Sequence, residues 1–328
     1  MQGEHPAAVA ARQYSTPSPS ASASTPPPPT DFFSRPAYLT VSHQLHLEAL
    51  ASALSRVYSL SPCFRAEPSL TARHLAEFWM LEAEWAFSGF GTESITPATS
   101  GGVEEICKFV EAMLRSVVGG VLGQSQNEDI SILWKQNDES KLASLEDAIG
   151  SGSRWTRLRY ADAIKELQNY HDGQKIKFQY EPSYTRGLQS EHERWLAEQL
   201  IRGPVFVTDY PSTFKPFYMR LNNNGDDTVA CFDLLIPHLG ELVGGSVREE
   251  RSDLLGARME RAGLSGPEYE WYGDLRRYGG APHGGFGMGL ERLVAWVGGI
   301  ENARECVPVG QFPVGQGEWC NSLVNFCN

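Results

Sequence analysis

Alternating polar and apolar residues from Cys63 to Phe87 predict two β-strands joined by a polar loop at Pro68 to His74. In the first strand Arg65 and Glu67 share a face. In the second strand the two faces carry Trp79, Leu81, Trp85 and Phe87 on one side, and Phe78, Met80, Glu82 and Glu84 on the other. An arginine, several glutamates and an exposed ring on one face suit a ligand with phosphates, an amino group and a flat ring. The pattern alone also fits a simple hairpin with a charged outer face.

Polarity patterns predict elements in much of the remaining chain. A short strand is predicted at Tyr38 to Val41, followed by a helix that begins near Gln44 with its cap near Ser42. Residues 102–170 carry apolar residues at helical spacing and predict helices. Alternation and β-branched residues predict strands in PVFVTDYP, FKPFYMRL and DTVACFDLLIP. Residues 1–30 are rich in proline and serine, have little to bury, and are predicted to be disordered.

Composition sets limits on the partners of the chain. Its 328 residues are 41% hydrophobic and 21% charged, as in ordinary globular proteins. No stretch approaches the roughly 18 apolar residues that a membrane helix needs, so we expect no membrane partner. The net charge of −12 gives no overall basic surface, so any RNA contact must be local. Six cysteines without CxxC spacing argue against a zinc site or disulfide framework and indicate a reducing compartment.

Two carboxylates in CFDLLIPHLGELVGGSVREER are candidates for a metal site. Asp233 and Glu241 are spaced so that two strands joined by a turn place both near one cation. Ligands that are all oxygen suit Mg²⁺ bound to ATP phosphates rather than Zn²⁺. Arg248 follows Glu241 by seven residues, which in a regular strand puts them on opposite faces. We therefore expect a β-bulge at Gly244-Gly245.

Glycines alternate in PHGGFGMGLERL, so one strand face there is bare backbone. Gly285, Gly287 and Gly289 form that bare face, on which a purine ring can lie, and Arg292 opens the helix that follows. A glycine-rich run of this kind also occurs in dinucleotide-binding loops. Here a βαβ context and a later acidic partner are both missing, which argues against a dinucleotide fold.

Three segments of the chain resemble class II aminoacyl-tRNA synthetases. FRAE, a short loop, RH and EFWMLEAE resemble motif 2 in the form found in asparaginyl-tRNA synthetases, and PHGGFGMGLERL resembles motif 3. PAYLTVSHQLHLEA is similar to the amino-acid-binding segment that precedes motif 2. The resemblance implies an α+β fold, with an antiparallel six-stranded sheet flanked by helices. It covers a partial catalytic domain at 31–306, between the segment 1–30 and a tail of unknown role at 307–328.

The resemblance also implies roles for individual residues. Arg65 and Arg292 are the implied catalytic residues, acting on the phosphates of ATP. The implied ATP-binding residues are Arg65, Glu67, Arg73, His74, Phe78, Gly287, Gly289 and Arg292. The implied amino-acid-binding residues are Ser42, Gln44, Glu48, Glu82 and Arg248, and the implied Mg²⁺ ligands are Asp233 and Glu241. Without the resemblance, Ser42, Gln44 and Glu48 are interpreted as a helix cap and exposed helical residues.

The amino acid implied is asparagine. Aspartyl enzymes carry a lysine where this chain has Leu47, followed by Glu48. A carboxamide is served by Glu48 accepting from its NH₂ group and Arg248 donating to its carbonyl, whereas Glu48 repels a carboxylate. GGSVREER and WYGDLRRYG agree with the asparaginyl pattern. Two alternatives stay open, namely an asparagine synthetase-like paralogue without an anticodon domain and an inactive truncated synthetase with a binding or regulatory role.

The resemblance further implies the partners and compartment. ATP, Mg²⁺, asparagine and the acceptor end of tRNA-Asn are the implied cofactors and substrates. The family forms homodimers through motif 1, which is not found before Asp31, and the anticodon-binding domain is not found either. We therefore expect a truncated synthetase whose dimerisation is weakened. TVS and QLHLE are similar to the bacterial and organellar branch, which favours the mitochondrial matrix, with the cytoplasm as the alternative.

Overall fold

A computed structural model describes residues 33, 37–67, 74–87, 101–123, 132–134, 139–173, 177–223, 225–307, 313–314 and 318–319. Seven strands form one sheet: β1 Arg56–Phe64, β2 Glu77–Ala86, β3 Thr156–Arg159, β4 Val205–Thr208, β5 Cys231–Ile236, β6 Gly240–Val247 and β7 His283–Gly289. The α-helices are α1 Gln44–Leu54, α2 Gly101–Leu122, α3 Glu139–Gly150, α4 Tyr160–Gly173, α5 Ser190–Trp195, α6 Ser252–Arg261, α7 Glu270–Arg277 and α8 Leu290–Gly298. A π-helical segment, Leu196–Ile201, continues α5, and Pro313–Val314 pairs with Glu318–Trp319 outside the sheet.

The sheet has the strand order β1-β2-β7-β6-β5-β4-β3. All neighbours are antiparallel except β3 and β4, which are parallel. The predicted α+β fold is therefore confirmed, with six antiparallel strands in one sheet. The short strand β3 adds a seventh at the edge, and the sequence analysis did not predict it.

Helices cover the two faces of the sheet unequally. One face is covered by α2, α3 and α8, whose apolar side chains pack on inward residues such as Phe232, Leu234, Val243 and Phe286. The other face is covered at the β3–β5 end by α4 and the π-helical segment. A small third cluster joins α6 and α7 through Leu255, Met259 and Tyr272. Polar residues and glycines of β2, β7, β6 and β5 occupy the rest of that second face, and the candidate site is built there.

Two predicted strands are wrong. Tyr38 to Thr40 have no assigned secondary structure and Val41 lies in a bend, although the Phe64 N–H of β1 donates to the Thr40 carbonyl at 2.8 Å. In FKPFYMRL only isolated bridges form, at Met219 and Leu221. The physical reason for the second case is the Arg258 guanidinium, which donates to several carbonyls of this segment. These carbonyls are therefore satisfied by a side chain rather than by a neighbouring strand.

The predicted β-bulge is present, but its predicted position is wrong. Leu234 pairs with Val243 and Leu235 pairs with Glu241, so Leu242 is the extra residue of β6. Gly244 and Gly245 are regularly paired on both sides. An extra residue at either position changes the alternation of faces in the same way, so the pattern alone did not distinguish the two positions.

Among the helices that the structure describes, none is long and apolar enough to cross a membrane.

Candidate active site

A row of paired residues across four strands forms the floor of the site. Glu82 of β2 pairs with Gly287 of β7, Gly287 with Gly244 of β6, and Gly244 with Asp233 of β5. Paired residues of neighbouring strands point to the same side of a sheet, so both carboxylates face one side. Three strand spacings separate them by roughly 14 Å. Between them the two glycines add no side chains to this face, and Met80 Cε lies 2.9 Å from the place of a Gly287 Cβ. An acidic group stands at each end of the row.

Glu48 lies at the centre of a buried polar network. Its Oε2 atom accepts hydrogen bonds from the Tyr272 hydroxyl and from Arg276 Nη2, both at 2.7 Å, and lies 3.2 Å from His283 Nε2. Its Oε1 atom accepts a hydrogen bond from Gln44 Nε2 at 3.1 Å. Burial alone would raise the pKa of Glu48, but the hydrogen bond of His283 and the charges of nearby arginines lower the pKa to about 2. Glu48 is therefore a buried, ionised carboxylate.

Arg248 lies beside Glu48 but forms its main ion pair with Glu84. Its Nη2 atom is 2.8 Å from Glu84 Oε2, its Nε atom is 3.1 Å from Oε1, and Nη1 donates to Ser246 Oγ at 2.5 Å. The shortest distance from Arg248 to Glu48 is 3.8 Å. Burial raises the pKa of Glu84, and the charge of Arg248 opposes this rise. The arrangement leaves Arg248 with its charge balanced and its guanidinium held by two partners.

Gly285 provides the space that the pair of Arg248 and Glu84 requires. It lies opposite Glu84 in the sheet register. A Cβ atom at this position would clash with the Ala83 carbonyl and with the Glu84 carboxylate. Glycine is therefore needed here for close approach of a strand to a charged side chain.

Glu82 is held by groups from the segment that leads into α1. Ser42 Oγ donates to Glu82 Oε1 at 2.5 Å, and the backbone N–H of His43 donates to Oε2 at 2.8 Å. Ser42 Oγ also accepts from the backbone N–H of Gln44 at 3.1 Å, but the N-cap residue of α1 is His43, without a side-chain capping bond, rather than Ser42 as predicted. These bonds fix the carboxylate of Glu82 at the β2 end of the floor.

The candidate metal ligands are brought together at the other end. A Cβ atom added to Gly244 would lie 3.3 Å from Glu241 Oε1 and 3.6 Å from Asp233 Oδ1, so both carboxylates border the same space. The bulge at Leu242 puts Glu241 on this face. Burial and the charge of Glu241 raise the pKa of Asp233, and Lys215, whose Nζ is 2.5 Å from Asp233 Oδ2, opposes the rise. The two carboxylates supply oxygen ligands of the kind that Mg²⁺ requires, and Lys215 balances the charge of Asp233 in this structure.

The predicted phosphate-binding residues lie at the mouth of the hairpin and are exposed or half-buried. Arg65 directly follows β1 and stacks over the Phe78 ring, with 4.9 Å from Cζ to the ring centroid. Its Nε atom donates to the Val41 carbonyl at 3.4 Å. His74 Nε2 lies 3.7 Å from Glu67 Oε2. Arg73 lies outside the described residues.

Arg292 lies over the bare end of β7. A Cβ atom added to Gly289 would lie 3.8 Å from Arg292 Cγ, and Arg292 Nη1 donates to the Glu241 carbonyl at 2.7 Å. The arginine therefore links the glycine strand to the strand that carries a candidate metal ligand. Phe78 and Met80 are on this same face of β2, and Met80 pairs with Gly289.

Several groups in the site were not predicted from the sequence. These are the partners of the predicted residues: Glu84, Lys215, Tyr272, Arg276 and His283. Tyr272 and Arg276 are four residues apart and share a helix face, which is a recognisable signal. Nothing in their spacing points to Glu48, more than two hundred residues earlier. Such long-range pairs depend on tertiary packing and carry no local pattern.

Comparisons with known proteins show the family of this chain. The family described as "tRNA synthetases class II (D, K and N)" matches residues 4–314. An asparagine–tRNA ligase of Xanthomonas axonopodis pv. citri is 45% identical over 86% of this chain, and the mitochondrial asparagine–tRNA ligase of Saccharomyces cerevisiae is 41% identical over 85%. The chain spans 56% of the length of each of these relatives.

Solved structures give the same result. The asparaginyl-tRNA synthetase of Pyrococcus horikoshii complexed with asparaginyl-adenylate superposes with a TM-score of 0.71 and 35% identity. That match covers 86% of this chain and 59% of the Pyrococcus chain. The chain therefore belongs to the class II tRNA synthetases of the D, K and N group.

Proposed function

We propose that this chain carries the adenylate-forming site of an asparagine–tRNA ligase. The single observation that carries the proposal is the buried, ionised Glu48 next to Arg248, a pair suited to a carboxamide. The relatives named above, and the adenylate in the Pyrococcus structure, support the same assignment. The substrates are ATP and asparagine, and the product of the first step is asparaginyl adenylate.

The charge balance of the pocket favours a neutral side chain. Two buried acids, Glu48 and Glu84, face two buried arginines, Arg248 and Arg276. A carboxamide NH₂ group can donate to Glu48 while its carbonyl accepts from Arg248. A carboxylate at the same place meets the negative charge of Glu48, and the charge of Arg248 is already balanced by Glu84. Aspartate is therefore rejected by repulsion as well as by a lost hydrogen bond.

The rest of the substrate follows the floor of the sheet. Glu82 accepts from the α-ammonium group of asparagine, beside Ser42 and Gln44. The asparagine carboxylate then attacks the α-phosphate of ATP, forming a new C–O–P linkage as the bond to pyrophosphate breaks. Arg65 holds the α-phosphate and stabilises the negative charge that grows there in the transition state.

The nucleotide occupies the remaining part of the floor. Adenine stacks between Phe78 and Arg292 over the bare backbone of Gly287 and Gly289. The phosphates are bound by Arg65, with Glu67, Arg73 and His74 at the hairpin mouth. Asp233 and Glu241 hold Mg²⁺, which neutralises phosphate charge when bound.

We further propose transfer of asparagine from the adenylate to the acceptor end of tRNA-Asn. A homodimer is proposed from membership of the family. The matrix of mitochondria is the proposed compartment, because one of the relatives is a mitochondrial enzyme, although bacterial relatives are equally similar. The domain boundaries 31–306 are also proposed from membership of the family.

The test is amino-acid-dependent ATP–pyrophosphate exchange with asparagine and aspartate. A site built around specific hydrogen bonds rejects a mismatched analogue by roughly 10⁴–10⁵. Glu48→Gln should narrow the ratio of asparagine to aspartate activation by about 10- to 100-fold, the value of a hydrogen bond to a charged group. The matched control is Glu198→Gln, because Glu198 lies in the π-helical segment beside His238, away from the floor.

Other outcomes separate the alternatives. Equal activation of both amino acids by the unmutated protein would contradict the proposal. Formation of asparagine from aspartate and ammonia would identify a synthetase-like paralogue. ATP binding without any exchange would identify a binding or regulatory protein.

A further inference from the structure

Three side chains of types that can bind metals meet at the β2 end of the floor. They are His43, which precedes α1, Cys63 of β1 and Glu82 of β2, and their ligand atoms all lie within 4.8 Å of one another. Among the described residues, no other three His, Cys, Asp or Glu side chains converge in this way. The three residues are far apart in the sequence, so a search for CxxC spacing does not find them. The lack of CxxC spacing therefore does not argue against a zinc site formed by these three.

The distances between these atoms fit a tetrahedral zinc site. His43 Nδ1 is 3.6 Å from Cys63 Sγ and 3.2 Å from Glu82 Oε2. Zinc binds sulfur at about 2.3 Å and nitrogen or oxygen at about 2.0–2.2 Å, which places the ligand atoms of a tetrahedron roughly 3.3–3.7 Å apart. Two of the three separations are thus close to those of a tetrahedral zinc site, and all three ligand atoms lie within 4.8 Å of one another.

The chemistry of the set separates it from the Mg²⁺ site at Asp233 and Glu241. Sulfur and imidazole ligands favour Zn²⁺, whereas Mg²⁺ prefers oxygen ligands alone. We propose that His43, Cys63 and Glu82 form a Zn²⁺ site whose occupancy excludes the α-ammonium group of asparagine and inhibits its activation. The inhibitory part rests on the proposed role of Glu82, while the binding part stands on the geometry of the three side chains alone.

Binding of the ion takes the place of the Cys63 proton. Zinc binds the thiolate, so each ion that binds releases the Cys63 proton to solvent. Glu82 then bonds to the ion instead of to the ammonium group. The His43 side chain is 27% exposed and gives the ion a route from solvent.

The first experiment measures metal binding without any catalysis. The full chain is titrated with Co²⁺ and the thiolate-to-metal charge-transfer absorption is recorded, followed by displacement with Zn²⁺. Cys63→Ser should abolish this absorption, and His43→Ala should weaken binding by more than about 10-fold, since even indirect partners of a metal are worth 10- to 100-fold. The matched control is a variant with Cys306, Cys320 and Cys327 all changed to serine, which should bind as before. Absorption that survives in Cys63→Ser, or is lost in the triple control, would overturn the proposal.

The second experiment tests inhibition in the ATP–pyrophosphate exchange assay, with and without a chelator. Zn²⁺ at ten times its Kd should raise the apparent KM for asparagine about 11-fold, because competition scales as one plus the ratio of concentration to Kd. Cys63→Ser should be active and resist this inhibition. Inhibition of Cys63→Ser equal to that of the unmutated chain would overturn the inhibitory role. A chain without exchange activity even in chelator would contradict the proposed function instead, and the Co²⁺ titration would still decide whether the site exists.

Discussion

The amino-acid end and the nucleotide end of the site are built in different ways. Around Glu48 and Arg248 the charged groups are buried, and each has named partners at 2.5–3.2 Å. Around Arg65 the side chains are exposed or half-buried. The contacts of the described residues there include a 3.4 Å bond to a carbonyl, a ring at 4.9 Å and a histidine–glutamate pair at 3.7 Å.

This difference indicates that the amino-acid end provides selectivity and the nucleotide end binds phosphate groups. A buried network of paired charges discriminates by shape and charge, because a mismatched ligand leaves further buried groups unpaired. An exposed arginine with only weak protein contacts can instead form its strongest ion pair with a ligand group such as a phosphate. We therefore expect mutations at the amino-acid end to change stability and selectivity together. At the nucleotide end they should change activity alone.

The largest effect is expected for Arg248→Ala, measured as the free energy of unfolding in urea. The change leaves Glu84 buried and unpaired, which costs roughly 3–5 kcal/mol. The double variant Arg248→Met with Glu84→Leu should recover most of that loss, because replacing a buried pair by apolar groups is often nearly neutral. The control Arg277→Ala removes a largely exposed pair with Asp274 and should cost less than about 1 kcal/mol. If Arg248→Ala were as stable as Arg277→Ala, the buried network would not stabilise the fold.

Arg65→Ala should separate activity from stability. Losing one donor that acts in the transition state costs about 3–4 kcal/mol, or roughly 10²–10³ in kcat of the exchange reaction. Stability should change by less than about 0.5 kcal/mol because the side chain is exposed. Arg56→Ala, at the other end of β1 and also exposed, is the control and should retain full activity. Unchanged exchange by Arg65→Ala, with ATP still bound, would remove Arg65 from the reaction.

Phe78→Ala should raise the apparent KM for ATP more than that for asparagine. Stacking of a base on an aromatic side chain is worth about 1–3 kcal/mol, or roughly 5- to 150-fold. Trp79→Ala is the matched control, because neighbouring residues of a strand point to opposite faces. Similar KM values for ATP in both variants would mean that adenine does not lie on the floor face of β2.

Local patterns predicted much of the fold. Strand β2, the glycine face of β7 and the start of α1 follow from repeats of two or 3.6 residues, and the structure has them. The first strand of the hairpin was predicted to carry Arg65 and Glu67, but β1 ends at Phe64 and both residues follow it. The segment at Met219 failed because the same alternation is compatible with carbonyls bonded to Arg258. The sequence pattern describes which side a residue faces, but not which group satisfies its backbone.

Sequence patterns and the resemblance named candidate site residues, but not the contacts between them and their partners. Arg248 was assigned to the carboxamide from the resemblance, yet its principal partner, Glu84, was not. Lys215 was missed beside Asp233 because it lies in a segment predicted as a strand. Partners of this kind are set by the packing of distant segments, and a lysine eighteen residues from an aspartate has no distinguishing pattern.

The smallest effect concerns the dependence of stability on pH. Glu48 has a pKa of about 2 in the folded chain, below its ordinary value of 4.5, because His283 and the buried arginines favour its ionised form. The unfolded chain therefore takes up a proton at Glu48 before the folded chain does. Stability from Glu48 is complete above pH 4.5 and declines as the pH falls from about 4.5 towards 2, by about 1.4 kcal/mol per pH unit.

Glu48→Gln isolates this contribution because glutamine does not titrate. The difference in unfolding free energy between the unmutated chain and Glu48→Gln should shrink by about 2 kcal/mol between pH 4.5 and pH 3. Burial and the charge of Glu48 both raise the pKa of Glu84, so the contribution of Glu84 has the opposite sign and becomes smaller when Glu48→Gln removes that charge. A difference that stays constant across this range would mean that Glu48 is not ionised in the folded chain. The charge-based selection of asparagine over aspartate would then lose its physical basis.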